Sequence, residues 1–397
     1  MLMAATSIIG AAHAAPYVPK DDDTVLQQVP AGAQLRQFQP LRQEVARNPA
    51  DLTAVLALAK AYLDIGRRDG DPRFVSYAQS TLSSWVQRAD APVPALVLGA
   101  TVLQSSHRFD ASLQMLERAL HSDPTNAQAL LTKATVLQVR GDFGAARKTC
   151  AQLTASAGQL IAIACLASAN SMSGKLPESY RVLAQVLNDD ERLAPPVRSW
   201  MRGELGEMSV RLGADAQAEQ HFKAALLADA DDLYVKGEYA DLLLRNGRPQ
   251  GAIVLLSRNE AQDALLLRLA IAEAATRSGH RWADMYQARY EAAQRDGDST
   301  HLREQARFVL EVLGDSSQAL ALAARNWEIQ REAADVRIYV QSAQAARDVT
   351  ARDAIGAWIR ANRYQDRTLA EDGPHPGPLP GRERGAAGDG ASAGVRL

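Results

Sequence analysis

Apolar side chains along this chain recur at helical spacing, and the helices they mark come in pairs. Small residues stand at Ala59, Ala100, Ala134, Ala167, Gly206, Ala240 and Ala272. Four positions before them lie larger apolar groups such as Val55, Leu96, Leu130 and Ile163, and three positions after them Tyr62, Leu103, Leu137 and Leu243. Offsets of three and four place all of these on one helical face. Seven residues after each small one comes an anchor: Gly66, His107, Gly141, Gly174, Gly213, Gly247, Gly279, with Gly314 continuing the series. Past the anchors a second small residue follows at Ser112, Ala146, Ser179, Ala218, Ala252 and Ala319, then a bulkier filler at Leu116, Leu183, Phe222 and Leu256. The pattern predicts two antiparallel helices that cross where neither carries bulk. The anchor glycine is expected to cap the first helix from the left-handed region, where it meets no Cβ penalty. Asn48-Pro49 and Asp123-Pro124 are expected to stop a second helix and open the next first helix at its early, proline-tolerant position.

Successive anchors are 41, 34, 33, 39, 34, 32 and 35 residues apart. A period near 34 through most of a chain marks a repeat array. The unit resembles the tetratricopeptide repeat, best at Leu205-Gly206, Gly213, Ala218, Phe222 and Ala225-Leu226, and nearly as well from Ala95 to Pro124 with Phe109 and Ala119-Leu120. The resemblance covers Asp51 to Asn326 as eight units and implies an all-α, right-handed superhelical solenoid of helix pairs. Positions are lost in the seventh and eighth units (Asp284, Ala288, Arg307); Asp335 to Asn362 reads as a degenerate ninth pair, and Gln34 to Asn48 as a lone helix capping the front. Two gaps exceed the period. Their surplus falls in Arg67-Arg68-Asp69-Gly70-Asp71-Pro72 and in Asn188-Asp189-Asp190-Glu191 through Pro195-Pro196, both read as surface loops, which solenoids tolerate because only neighbouring repeats touch.

Composition narrows the function classes. Forty-four basic against forty-six acidic residues leave a formal charge of −2, which argues against a nucleic-acid binder, whose phosphate contacts demand a basic surface. Nothing after the N-terminus approaches the ~20 apolar residues that span a bilayer. Residues 1–14 read as a signal peptide, an apolar run ending in Ala12-His13-Ala14, although no Lys or Arg precedes Lys20; an upstream start codon would supply the missing basic region. Residues 15–33 read as a linker, 34–369 as the solenoid of eight to nine pairs, and 370–397 as a disordered tail in which Pro374, Pro376, Pro378 and Pro380 alternate.

Candidate chemistry is sparse. The seven histidines make no metal-ligand spacing, and neither a nucleophile elbow nor a phosphate-binding glycine loop is present, so no catalytic residue, metal or cofactor is assigned. Cys150 and Cys165 fall on adjacent helices, where a disulfide is topologically open, yet Cys150 also occupies the filler position, where a free thiol packs as a small hydrophobe. Three consecutive first helices carry an acid and, four residues later, an arginine: Glu207 and Arg211, Asp241 and Arg245, Glu273 and Arg277. Acid first is the favourable order for such a pair. The resemblance implies that first helices line a concave groove, which would make these residues, with Trp200, Tyr234, Glu204, Glu238 and Arg202 nearby, a polar ladder gripping a peptide or basic segment. The bland reading is three surface ion pairs of ~0.3–0.5 kcal/mol each. A carboxylate clamp of the kind some members of that family use is not expected, since among Leu56, Lys60, Val97, Thr101, Leu131 and Thr135 only Lys60 suits it. The expected function is therefore a non-enzymatic scaffold or adaptor in the bacterial envelope that binds a partner protein or extended peptide. Two alternatives stay open: a subunit of an envelope polysaccharide or pilus assembly system, and a cytoplasmic peptide-sensing regulator.

Overall fold

The computed structural model describes residues 33–187, 193–296 and 300–370. The leader, nearly all of the linker, the loop at 188–192 and the tail from 371 lie outside the described residues. A short entry segment, α1 (Ala33–Arg36) and α2 (Gln39–Arg47), precedes nine helix pairs among the described residues. They are α3 (Leu52–Asp69) with α4 (Pro72–Val86), α5 (Val93–Ser105) with α6 (Phe109–Ser122), and α7 (Ala127–Val139) with α8 (Phe143–Ser156). Next come α9 (Gln159–Ser171) with α10 (Leu176–Val186), α11 (Pro195–Arg211) with α12 (Asp215–Ala228), and α13 (Leu233–Arg245) with α14 (Pro249–Leu256). The last three are α15 (Asp263–Thr276) with α16 (Arg281–Asp296), α17 (Leu302–Phe308) with α18 (Ser316–Ile329), and α19 (Ala333–Ala345) with α20 (Val349–Asn362). The chain folds as an all-α superhelical solenoid, the ninth pair included.

Packing at each crossing follows the small residues. Ala59, Ala100, Ala134, Ala240 and Ala272 are fully buried, as are their partners Ser112, Ala146, Ala218 and Ala252 and the fillers Leu116, Cys150, Leu183, Phe222 and Leu256. The crossing is tightest in the fifth pair, where a Cβ on Gly206 would come within 2.4 Å of the Phe222 ring. Only a hydrogen fits there. At the polar crossing in the second pair, the Ser112 hydroxyl donates to the Ala100 carbonyl at 2.8 Å and so costs nothing in unsatisfied polarity. Helix starts are set by side chains that accept orphan backbone N–H groups, among them Asp51, Asn126, Asp142, Asp232, Asp315 and Asp348.

The capping prediction holds at Gly141, Gly174, Gly213, Gly247 and Gly314, and at His107, which enters the left-handed region at φ 55°. It fails at Gly66 and at Gly279. Gly66 is helical and buried: the surplus residues after it extend α3 by a turn rather than forming a loop, and Gly70 at φ 66° caps instead. In the seventh pair Arg277 takes the left-handed cap at φ 52°, two residues ahead of Gly279. The eighth pair inserts a π-helical turn, Val309–Leu313, before Gly314. The prolines at 49 and 124 also differ from expectation. Each lies in the turn between helices, ahead of the capping Asp51 or Asn126, whereas Pro72, Pro177, Pro196 and Pro249 occupy the early helical positions.

The solenoid does not end as an open ribbon. Each inter-pair loop of the C-terminal half meets an anchor turn five pairs earlier. After the sixth pair, the Gln262 amide donates to the Arg67 carbonyl at 2.7 Å and also to that of Arg68. After the seventh, the His301 ring stands edge-on to His107, centroids 6.2 Å apart. After the eighth, the Arg331 N–H donates to the Val139 carbonyl at 2.7 Å and its guanidinium to the Arg140 carbonyl at 3.1 Å. After the ninth, the Gln365 side chain accepts from the Leu176 N–H at 3.0 Å, and its carbonyl accepts from Arg211. Apolar contacts reinforce the last part: Phe143 packs on Trp358, and the Arg211 guanidinium lies 4.7 Å over the Tyr364 ring. The result is a closed turn of superhelix around a central lumen.

Candidate functional site: a charged lumen

First helices turn their outward faces toward this lumen, so the residues that line it come from α7, α9, α11, α13, α15, α17 and the start of α19. The cavity measures about 230 Å³. On its α13–α17 side Asp241 sits between two arginines, accepting from Arg268 at 2.6 Å and from Arg307 at 3.1 Å. Arg307 also reaches Glu311 at 2.9 Å. Burial alone would raise the Asp241 pKa, but the two guanidinium charges outweigh it and hold the carboxyl at about 2. Beside this group Arg303 binds Glu304, Glu332 and Asp335 at 3.2, 2.8 and 3.4 Å. Glu304 is likewise held at about 2: its burial is overcome by Arg303, with His301 adding. Asp335, the most enclosed of the set, goes the other way, lifted by burial to about 6 despite Arg303 and hydrogen bonds from Asn326 and the Glu332 N–H.

The α11–α13 side is different. Ser168 and Trp200 lie beside Glu204, and Tyr234 beside Glu207, and neither carboxylate is salt-bridged to an arginine. Enclosure raises the Glu204 pKa. Glu207 is raised well above the ordinary carboxylate value, by enclosure first and then by the charges of Glu238 and Glu204. Glu238 itself reaches only the edge of Arg268, at 3.6 Å. Tyr234 is walled in by the superhelix yet 60 % exposed, because its ring faces the water of the lumen. Its hydroxyl is pushed well up by enclosure and by Glu207 and Glu238. This side of the lumen thus presents three carboxylates beside an indole and a phenol, a local set suited to an organic cation, while six arginines line other parts of the same cavity.

The structure gathers Trp200, Glu204, Glu207, Tyr234 and Glu238 around the cavity, but none of the three predicted acid–arginine pairs forms within its helix. Arg211 leaves Glu207 for the neighbouring helix, donating to the Ser171 hydroxyl at 3.1 Å and to its carbonyl. Asp241 is taken by Arg268 and Arg307, and Arg245 pairs instead with Asp215 on α12 at 2.5 Å. Glu273 is buried and caps α16, accepting from the N–H groups of Arg281, Trp282 and Ala283 at 2.9–3.1 Å, while Arg277 terminates α15. The reason is energetic. An exposed pair within one helix gives a few tenths of a kcal/mol, whereas a second arginine or a helix N-terminus with orphan donors gives more. Arg202 donates to the Leu187 carbonyl at the long distance of 3.5 Å. The lumen arginines 268, 303, 307, 331 and 337 carried no sequence signal, since they come from pairs where the register decays. Cys150 and Cys165 are bridged, with Cα atoms 5.5 Å apart, between α8 and α9. Among the described residues no group of three or more His, Cys, Asp or Glu is placed to hold a metal ion, and no helix is long and apolar enough to cross a membrane.

Residues 103–164 match a family profile described as tetratricopeptide repeat. Among solved structures, a tetratricopeptide repeat protein from Parabacteroides merdae is similar at 12% identity over 64% of this chain and 91% of that one, with a TM-score of 0.43. A thermophilic TPR protein from Thermus thermophilus is similar at 22% identity over 50% and 98%, TM-score 0.37. Human IFIT1, solved as a dimer with PPP-AAAA, is similar at 13% identity over 85% and 78%, TM-score 0.45. No curated protein matches the sequence. Residues 103–164 thus match the tetratricopeptide repeat profile, and the same kind of helix pair repeats on both sides of them.

Proposed function

We propose that this chain is a non-enzymatic scaffold that binds a partner protein by drawing one of its lysine or arginine side chains into the lumen. The observation that carries the reading is the trio Glu204, Glu207 and Glu238, set beside Trp200 and Tyr234 with no strong ion pair of its own. A solenoid brings these groups to the site already ordered, so binding costs the scaffold little entropy. The test is calorimetry with a hexalysine peptide against its hexaglutamate counterpart. Hexalysine should bind and hexaglutamate should not, and Glu207→Gln with Glu238→Gln should weaken hexalysine at least tenfold while circular dichroism stays unchanged. Equal affinity for the two peptides, or for wild type and the double variant, would remove the lumen as the binding site.

The working compartment we propose is the bacterial periplasm. Two features support it: the signal-like run ending at Ala14, and the Cys150–Cys165 bridge, a pairing that oxidising compartments maintain and the cytoplasm does not. N-terminal sequencing of protein from the native host should find a start at Ala15; a chain that keeps the residues before Ala15 would count against cleavage and export.

A further inference from the structure

Around the lumen, almost every wall contact joins helix pairs that are consecutive in sequence. The exceptions are the Asp241–Arg307 pair, which skips the seventh pair, and the line where the C-terminal loops meet the early anchor turns, whose bonds at Gln262, Arg331 and Leu176 span 189 to 195 positions. This seam combines polar bonds with buried apolar contacts, for Phe143 and Met172 pack into the core of the last two pairs and Ile329 packs on Phe109, Val136 and Val139. It is held by Gln262, by Arg331, by the Leu176–Gln365 bond and by two histidine rings, with aromatic packing at its Trp358–Tyr364 end. It is also imperfect, for the buried Arg331 Nε has no hydrogen-bond partner. A buried donor left unpaired is a cost that parting relieves.

We propose that the seam is a gate, and that the superhelix opens along it to admit a partner sideways into the lumen. A side chain on an internal segment of a folded partner cannot be threaded in from a free end. It needs a break in the wall, and the seam is where the wall parts without unfolding any helix pair or separating consecutive repeats. Small changes at successive repeat interfaces add up along a solenoid, so a parted seam requires no single large rearrangement. This rests on the lumen being the binding site, and the experiment separates the two.

The lock is Gly141→Cys with Arg331→Cys. A Cβ at 141 lies 3.5 Å from the Cβ of Arg331, within the span that a disulfide bridges. Two readouts are taken on the oxidised and the reduced forms of this variant, with the parent protein carried through the same reductant as control for Cys150–Cys165. The first is hydrogen exchange on a peptide containing Leu176, whose N–H bonds to Gln365 across the seam. Oxidation should slow it at least tenfold, and an unchanged rate would overturn the gate. The second is the association rate of hexalysine, which should fall at least tenfold on oxidation; an equal rate would show that entry does not use the seam. Slowed exchange with no hexalysine binding in either form leaves the gate standing and removes the proposed ligand. Because position 141 has a left-handed backbone that penalises a side chain, Gln262→Ala is the second arm. It cuts the seam at its polar end and should speed exchange at Leu176 severalfold in an otherwise wild-type chain, and no change there would count against concerted opening.

Discussion

Asp241 and Glu207 come from neighbouring first helices, Glu207 lining the lumen and Asp241 held by two arginines that line it, yet they sit in opposite electrostatic states. Asp241 has two arginines at 2.6 and 3.1 Å and a carboxyl held at about 2; Glu207 has a phenol, two repelling glutamates and a carboxyl pushed upward. Both are acids on the inward face of a repeat. What separates them is what the later pairs bring across: Arg268 and Arg307 arrive opposite α13, and nothing equivalent arrives at Glu207. The completed network is a structural element, and the incomplete one is the site we propose.

The largest effect is expected at Asp241. Replacing it by Ala removes the carboxylate that Arg268 and Arg307 share, leaving them Glu238 and Glu311, and should cost up to about 3 kcal/mol in chemical denaturation, the lower end for breaking an enclosed ion pair by removing one partner. A loss below about 0.5 kcal/mol would mean that the network is no more than surface charge. A smaller change of opposite sign is expected at Glu207. Glu207→Gln relieves repulsion from Glu238 and Glu204, so stability at pH 7 should be unchanged or higher by up to about 1 kcal/mol.

The pH dependence sharpens the same contrast. Asp241 has a folded value depressed below 3.8, so its contribution is present above that value and is lost as pH falls toward 2. Glu207 has a folded value raised above 4.5, so its contribution is complete below that value and is lost as pH rises through the raised one. Asp241→Asn should therefore flatten the acid limb of the stability profile, and Glu207→Gln the limb above the ordinary carboxylate range. Both variants flattening the same limb would contradict the assignment. The smallest effect is expected at Arg245, whose pair with Asp215 lies at the outer edge of the fifth and sixth pairs. Arg245→Ala should change stability by no more than about 0.5 kcal/mol and leave hexalysine binding untouched.

The helix pair was legible because its determinants are local. Gly206 and Phe222 lie sixteen residues apart, on two helices of one unit, and the rule that a bulky filler needs a small partner can be read from spacing alone. The inward placement of Glu207, Tyr234 and Trp200 was legible for the same reason, given the face that first helices turn to the groove. Their partners were not. Whether Arg211 reaches Glu207 or Ser171 depends on which acceptors the end of α9, in the preceding pair, offers, and a one-dimensional pattern does not carry that. The seam was hidden more completely. Gln262, Arg331 and Gln365 act through single backbone bonds at separations near two hundred residues, and such bonds leave no periodic trace.

Closure also bears on how such a chain can evolve. An open ribbon of repeats gains or loses a unit with little penalty, since each new neighbour meets the same kind of surface. Here each loop meets the turn five pairs back, so one inserted or deleted pair would shift Gln262, His301, Arg331 and Gln365 onto the wrong turns together. The number of units between those partners is therefore fixed by geometry. Variation in length is confined to places that do not change the count, such as the extra helical turn ending at Gly70 and the residues between the fourth and fifth pairs.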